Sequence, residues 1–532
     1  MIINLKNLKK YNQIQSKICI IGAGTVGLFL ANQLRVNKIP VTILEAGEES
    51  IKNNISSSFN YEFTNATYGK DILKKKHLLG GTSTLWGGQM LPLQKSDIIN
   101  RNYINLKSWV IKYKEIEKFF PIITNFFQFE FLKEKLKTNS EIISKKKNFF
   151  LVNKIFNLRF STFMSPKITN FYKLFEKNIR EDSEQKTYIN AKVIKINNVK
   201  NKNSKNNFSI NNIIAKSSNG NILEVKTDIV VICCGTLEST RLLLIYNQDN
   251  NNFLKRQGSP LGNYFSELLS IKCGEFKIKD WDEFVLHFSP IIKKGLIHSK
   301  RFELKAKLQK KYKIGSAYCN FIFVHYKNYW LKYLRTLFIR KIKLESIISI
   351  LLSVPLIIKD TYNFLINRIF KKFIWFTKPS KILFLVNVEQ IPNFNNKIYI
   401  KKRNFNNKEG KLTIDWKIRT KDLNSIKIIS KLFNKAWINS SLTNIADLKI
   451  TLTDTNLIKK IIKEGNHPIG TIRIGSSKKE SVLDKNLKVW GVNNLYVCST
   501  SIFPSSGSSN TGFFLLALTA RLAKYLKKNL NN

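Results

Sequence analysis

The chain has 532 residues, 43% of them hydrophobic, and carries 89 Lys and Arg against 36 Asp and Glu, a formal net charge of +53. That length exceeds what one hydrophobic core usually organises, so two domains are expected, and the apolar fraction is ample for globular cores. The charge is Lys scattered among abundant Ile, Asn and Phe, residues that share AT-rich codons. No recognition helix, RNP motif or zinc finger accompanies it, so the expectation is no nucleic-acid partner.

In chain order, the basic opening MIINLKNLKKYNQIQSK has no continuous apolar stretch and no small-residue cleavage site, and does not read as a secretory signal. From Lys17 follows KICIIGAGTVGLFLANQLRVNKIPVTILEAG. ICIIG has the character of a buried parallel strand, LFLANQL is apolar at helical period, and VTILE is a second strand. Between the first strand and the helix, Gly22, Gly24 and Gly27 have GxGxxG spacing, with Thr25 inside it. Gly22 permits the tight turn, Gly24 lets backbone N–H groups approach a pyrophosphate, and Gly27 lets helix and strand pack closely. The phosphate then lies at the positive end of the helix dipole. Glu45, followed by Ala46, stands eighteen residues past Gly27, where a carboxylate can accept ribose hydroxyls and repels a 2′-phosphate. The motif therefore predicts FAD or NAD and disfavours NADP.

Residues 78–88 read LLGGTSTLWGG, two glycine pairs (Gly80–Gly81 and Gly87–Gly88) around Thr82, Ser83 and Trp86. This fits neither helix nor strand and suggests backbone passing close to something flat or charged. A polar tract at 200–207 reads as a hairpin excursion. Residues 327–376 are apolar at helical period, aromatic and basic, and interrupted by Pro355. They are too broken to span a bilayer, which needs about twenty residues. Three readings stay open for them: lid or core helices, a monotopic membrane-surface element, or a subunit interface. Near the C-terminus, NHPIGTIRIG holds His467, one of only five histidines, and FFLLALTARLAKYL reads as a closing amphipathic helix. The six cysteines show no CxxC spacing, and those in ICIIG, VVICCG and LYVCS fit buried thiols in a reducing, cytoplasmic setting.

Several of these segments together resemble the glucose–methanol–choline (GMC) FAD oxidoreductases. LLGGTS resembles that family's GG[ST]S segment, and SWVIKYKEIEKFF (108–120), VVICCGTLESTRLLL (230–244), LVNVEQIPNFNNKIYI (385–400) and IDW (414–416) resemble later family stretches in the right order. The C-terminal NHPIGTIRIG and FPSSGSSN resemble "H-x-x-GT" and "SG-x-x-N". The flavour is that of a bacterial sugar-oxidising branch. The resemblance implies an α/β fold: a discontinuous Rossmann-like FAD domain (15–107, 185–270 and 460–530) and a substrate domain on an antiparallel sheet (108–184 and 271–459, with a helical insertion at 327–376).

It also implies an activity, oxidation of a CH–OH group, with His467 as base and Asn510, forty-three residues on, as its partner. A neutral imidazole suits proton removal, and a carboxamide can hold the hydroxyl oxygen without competing as a base. Further implied contacts to FAD are Val193 toward adenine, Cys234 and Gly235 on the ribose side, and Thr500, Ser501 and Thr511 toward the pyrophosphate or ring. No histidine follows Ser83 among Thr84, Leu85 and Trp86, so FAD is expected to be non-covalent and no metal is expected. Glu267–Leu268 replaces a family histidine position, which puts a second histidine there out of play. The expected partners are an alcohol or sugar and an electron acceptor such as oxygen or quinone, with peripheral membrane contact through 327–376 among the open readings. The alternatives are a catalytically degenerate flavoprotein and a flavin reductase-type enzyme feeding a membrane carrier.

Overall fold

The computed structural model describes residues 1–49, 61–64, 77–128, 150–200, 208–324, 348, 351–366, 379–401, 410–452, 458–459 and 461–530. Its first sheet has eight strands, in the order Ile2–Asn4, Gln185–Ile189, Val41–Leu44, Tyr11–Ile21, Ile222–Ile232, Phe208–Lys216 and Lys192–Lys200, with Leu495–Val497 also beside Ile222–Ile232. The first five and Leu495–Val497 pair in parallel, and Phe208–Lys216 pairs antiparallel with both neighbours. Ile18, Cys19 and Ile20 in the centre are fully buried, as a parallel strand covered on both faces requires. The Thr25–Arg35 helix packs on the closing Thr511–Leu530 helix. It buries Val26, Leu28, Phe29, Leu30 and Leu34, and Phe29 meets the rings of Phe126 and Phe127. Each such side chain contributes roughly 1.5–3 kcal/mol of transfer free energy.

The second sheet has nine strands and is antiparallel: Ala446–Ile450, Leu268–Ile278, Lys381–Glu389, Ala317–Val324, Leu296–Leu304, Phe156–Phe163 and Gln89–Met90, with Ile291–Lys293 and Lys463–Glu464 at its sides. Its two faces differ in chemistry. On one, Phe276, Phe302, Phe321 and Phe384 pack with Phe433 and Trp437 of the Thr420–Ile438 helix. On the other, the register puts Arg159 opposite Arg301, Ser161 opposite Ser299, Glu303 opposite Tyr318, and Tyr318 opposite Asn387. The aromatic face makes a core. The polar face is left for the site.

This is the α/β architecture expected, with a parallel nucleotide-type sheet and an antiparallel second one. The strand through ICIIG begins earlier, at Tyr11, and Ile2–Asn4 adds an edge strand, so residues ahead of 15 belong to the first sheet. Gln89–Met90, ahead of 107, pairs in the second. Residues 201–207 of the polar tract lie outside the described residues, as does most of 327–376, of which the helix Val354–Ile366 is described. All six cysteines are free, and five are buried.

Candidate active site

The GxGxxG turn is held by its glycines in different ways. Gly22 has φ +101°, and a Cβ there would stand 3.0 Å from the Cys233 carbonyl oxygen. A Cβ on Gly27 would lie 1.9 Å from the Gly22 carbonyl oxygen, so close helix–strand packing requires glycine. At Gly24 a Cβ would meet nothing within 4 Å: there is room beside the start of the Thr25 helix. Glu45 is buried, and its carboxylate accepts the N–H of Ala23 at 2.9 Å and of Gly47 at 2.8 Å. Burial pushes its pKa up against those backbone donors. Glu45 thus shapes the glycine turn, with Ala46 half-buried between its partners, and each oxygen retains a lone pair for a ribose hydroxyl.

The second glycine segment closes on the first. Gly80 donates its N–H to the Ala23 carbonyl at 2.9 Å, and a Cβ on Gly81 would stand 3.0 Å from the Gly24 Cα. Both have positive φ. Ser83 is buried and spends its hydroxyl inside the chain, donating to Gly80 O at 2.6 Å and accepting from the Phe171 N–H at 3.0 Å. Thr82 and Gly87 are exposed, and Gly88 is buried with φ +62°. Trp86 donates its indole N–H to Thr169 O at 2.8 Å and borders Gly512, whose Cβ would lie 3.1 Å from the ring. This segment therefore reaches from the glycine turn to the first turn of the Thr511–Leu530 helix.

A third connection runs through the Gly235–Asp249 helix. Cys234 donates its thiol to Ile21 O at 3.0 Å, and Gly235 adopts φ +70° with open space where a Cβ would be. One residue on, the Thr236 hydroxyl donates to Pro468 O at 2.6 Å and meets the Thr500 hydroxyl at 2.8 Å. Ser501 is buried with its hydroxyl on Ser499, and Thr511 is buried at the head of the last helix. Val193 is buried in the Lys192–Lys200 strand opposite Ala215. On the Tyr61 side of this helix, Glu238 holds Arg241 at 2.8 Å and accepts from Tyr61 at 2.8 Å. Burial pushes His77 down to about 4 even though Glu238 pulls it upward.

His467 follows Asn466, which has φ +59°. Its backbone N–H donates to Glu267 Oε2 at 2.9 Å, so the fully buried Glu267 anchors this loop where the resembling family has a histidine nearby. The His467 ring brings Nε2 within 3.5 Å of Asn510 Nδ2. The two side chains expected to act together do meet. Both are half-buried, and Asn510 meets the polar side of the second sheet through Arg301.

Two residues that motif reading missed, Arg301 and Gln89, and one inside the EQ segment, Glu389, complete the arrangement. Arg301, 2% exposed, donates to Asn510 Oδ1, to Gln89 Oε1 at 2.7 Å and to Ser508 O at 3.3 Å, and its guanidinium lies 4.3 Å from the centre of the Tyr318 ring. Gln89 in turn donates to the Ser161 hydroxyl at 2.7 Å. Glu389 clamps the loop that carries Asn510: it accepts N–H groups of Ser506 and Gly507 at 3.1 and 3.0 Å and a two-pronged contact from Arg101 at 2.6 and 3.0 Å. Burial raises its pKa, but Arg101 and these donors bring it net below the usual carboxylate value. Gln390 accepts the indole N–H of Trp416 at 2.8 Å, which ties the EQ and IDW segments together structurally.

Comparison with known proteins adds a family match and a likeness of fold. Residues 392–519 match the model of the GMC oxidoreductase C-terminal domain. A segment of 61 residues is 39% identical to Dehydrogenase str4 of Strobilurus tenacellus, a match that spans 12% of this chain and only 10% of that protein. Among solved structures, pyridoxine 4-oxidase from Mesorbium loti is similar at TM-score 0.59 with 14% identity, over 96% of this chain and 99% of that one. Formate oxidase from Aspergillus oryzae RIB40, in a variant bearing on FAD modification, is similar at TM-score 0.58 with 12% identity, over 97% and 99%. At such identities the likeness is one of fold. The family match rests on residues 392–519, and the whole-length likeness adds the fold.

Proposed function

We propose that the chain is an FAD-dependent oxidoreductase that oxidises a CH–OH group of a sugar or other polyol, with His467 as the base. The observation that carries the proposal is the approach of His467 Nε2 to Asn510 Nδ2 at 3.5 Å, in a chain whose glycine turn is left open at Gly24. The fit to FAD is physical: open space at Gly24 and Gly235, a helix start at Thr25, and the buried carboxylate of Glu45. Those residues would hold the pyrophosphate and ribose, with the Gly80–Gly88 segment and Thr511 near the ring. Bound FAD supplies the acceptor for the two electrons and the hydrogen that leave the carbinol carbon.

The chain supplies the rest. His467 Nε2 takes the hydroxyl proton, while Asn510 Nδ2 donates to the hydroxyl oxygen and holds it in line. Glu267 fixes the His467 main chain, and the Glu389 clamp fixes the turn before Asn510. The polar sheet face, with Gln89, Ser161, Ser299, Asn320 and Asn387, suits a substrate bearing several hydroxyls, in keeping with the sugar-oxidising branch. The FAD is non-covalent, since no histidine follows the Gly80–Ser83 segment. The expected outcome is a yellow protein whose flavin stays in the supernatant after acid precipitation and is bleached anaerobically by a member of a sugar and polyol panel. Bleaching by NADH and by no alcohol identifies the reductase alternative. Bleaching by neither identifies the degenerate one.

The Val354–Ile366 helix and its lead-in form a peripheral contact with an anionic membrane on its cytoplasmic face. Leu352, Ile358 and Tyr362 are 79%, 65% and 65% exposed, an apolar stretch in a strongly cationic chain. Among the described residues no helix is long and apolar enough to cross a membrane. The double substitution Leu352→Asp and Ile358→Asp is expected to abolish co-sedimentation with phosphatidylserine vesicles. Unchanged co-sedimentation assigns those side chains to a lid or a subunit interface instead.

A further inference from the structure

Arg301 is among the largest fully enclosed side chains of the described residues, and all its hydrogen-bond partners named above are neutral acceptors. A guanidinium has donors only. Whatever amide atom of Asn510 it touches must therefore be the carbonyl oxygen, and the NH2 must point the other way, toward His467 Nε2. The same logic continues backwards. Gln89 gives its oxygen to Arg301 and its NH2 to the Ser161 hydroxyl, which donates to Ser299 O at 3.3 Å. Every group in this chain of contacts has its polarity set, and the cation at its middle is braced by the Tyr318 ring.

We propose that Arg301 is a positioning residue: by holding the Asn510 carbonyl oxygen it turns the amide NH2 toward His467, which keeps Nε2 the unprotonated nitrogen of that ring. A flipped amide would present oxygen to Nε2, stabilise a proton there, and remove the base. The proposal rests on His467 being the base, but its primary test needs no turnover.

With only five histidines, the protein labelled with 15N-histidine gives a spectrum in which His467 is assigned by its loss in a His467→Gln variant. At pH 8 the FAD-loaded parent is expected to show His467 with Nδ1 protonated and Nε2 not. Arg301→Met is expected to shift His467 toward protonated Nε2, whereas Arg301→Lys, which keeps a donor-only cation, restores the parent pattern. Asn510→Asp puts an oxygen toward Nε2 whatever Arg301 does, and is expected to protonate Nε2 in a protein that retains every core contact. In anaerobic reduction by the best alcohol of the panel, Arg301→Met is expected to cost about 100-fold, and less than about twofold more in an Asn510→Ala background. A parent with Nε2 protonated, an Asn510→Asp variant with Nε2 unprotonated, or equal losses from Arg301→Met in both backgrounds would overturn the proposal. If His467→Ala is bleached normally while the tautomer still follows Arg301, the base assignment fails and the positioning role stands.

Discussion

His467 is placed by one carboxylate and one amide, with a guanidinium behind the amide, and each contact has a direction. Glu267 takes its backbone N–H, Asn510 faces its Nε2, and Arg301 faces Asn510. Two buried carboxylates beside this cluster behave oppositely. Glu389 is held ionised by Arg101, while Asp97, which accepts from Ser316 at 2.6 Å and Gln94 N at 2.7 Å, is pushed by burial up to about 6, with Arg101 opposing. A folded-state pKa above the unfolded value of 3.8 means stability that is fully present below about pH 4 and lost as pH rises through 6. The loss is of order 3 kcal/mol. Asp97→Asn can keep the Gln94 contact and let the Ser316 hydroxyl turn to Gln309 Oε1, 3.3 Å away. Denaturant melts of this variant at pH 4, 6 and 8 are expected to gain on the parent as pH rises; a gap that is constant with pH would show that Asp97 is ionised throughout. His467 and Asn510 were legible in the sequence because each sits in a short glycine-marked motif. Arg301 was not, because HSKRFEL looks like any strand edge in a chain with 89 basic residues, and only the pairing with Phe156–Phe163 turns it inward.

At the level of elements, the glycine turn was readable from its spacing: Gly22 and Gly27 each answer a separate steric demand, and Gly24 leaves open space. Gly27 is the strictest. A methyl group there would press on the Gly22 carbonyl carbon and oxygen, backbone atoms that cannot move without opening the turn. Gly27→Ala is therefore expected to yield a protein that has lost FAD and melts several degrees lower; full FAD content with unchanged melting would contradict the geometry. The strand that feeds the turn was only half legible. ICII is an apolar run, but YNQIQSK ahead of it alternates, one side to water, and pairs with ILEVKT, which alternates likewise. Alternation that weak is not distinguished from a polar leader by sequence. The EQ segment was recognised by resemblance alone, and its purpose emerges from contacts made across more than a hundred residues: Glu389 to Ser506 and Gly507, and Gln390 to Ser266. Long-range clamps of this kind leave no local periodicity to read.

At the scale of the whole molecule, the two sheets divide the work. The parallel one presents the glycine turn, and the antiparallel one turns its aromatic face to a core and its polar face to His467 and Asn510. The resemblance foretold the two kinds of sheet, but the buried residues of both join in one continuous cluster that composition did not foretell, and the contribution of Gln89–Met90 to the second sheet depended on pairing that no motif marks. The account's central claim is that one imidazole from the C-terminal loop removes the substrate proton beside FAD held at the N-terminal turn. Stopped-flow anaerobic bleaching of the flavin by the preferred alcohol, in parent and in His467→Ala loaded with equal FAD, tests it most directly. The account predicts a fall of about three orders of magnitude with FAD binding intact; a variant reduced at nearly the parent rate would contradict it.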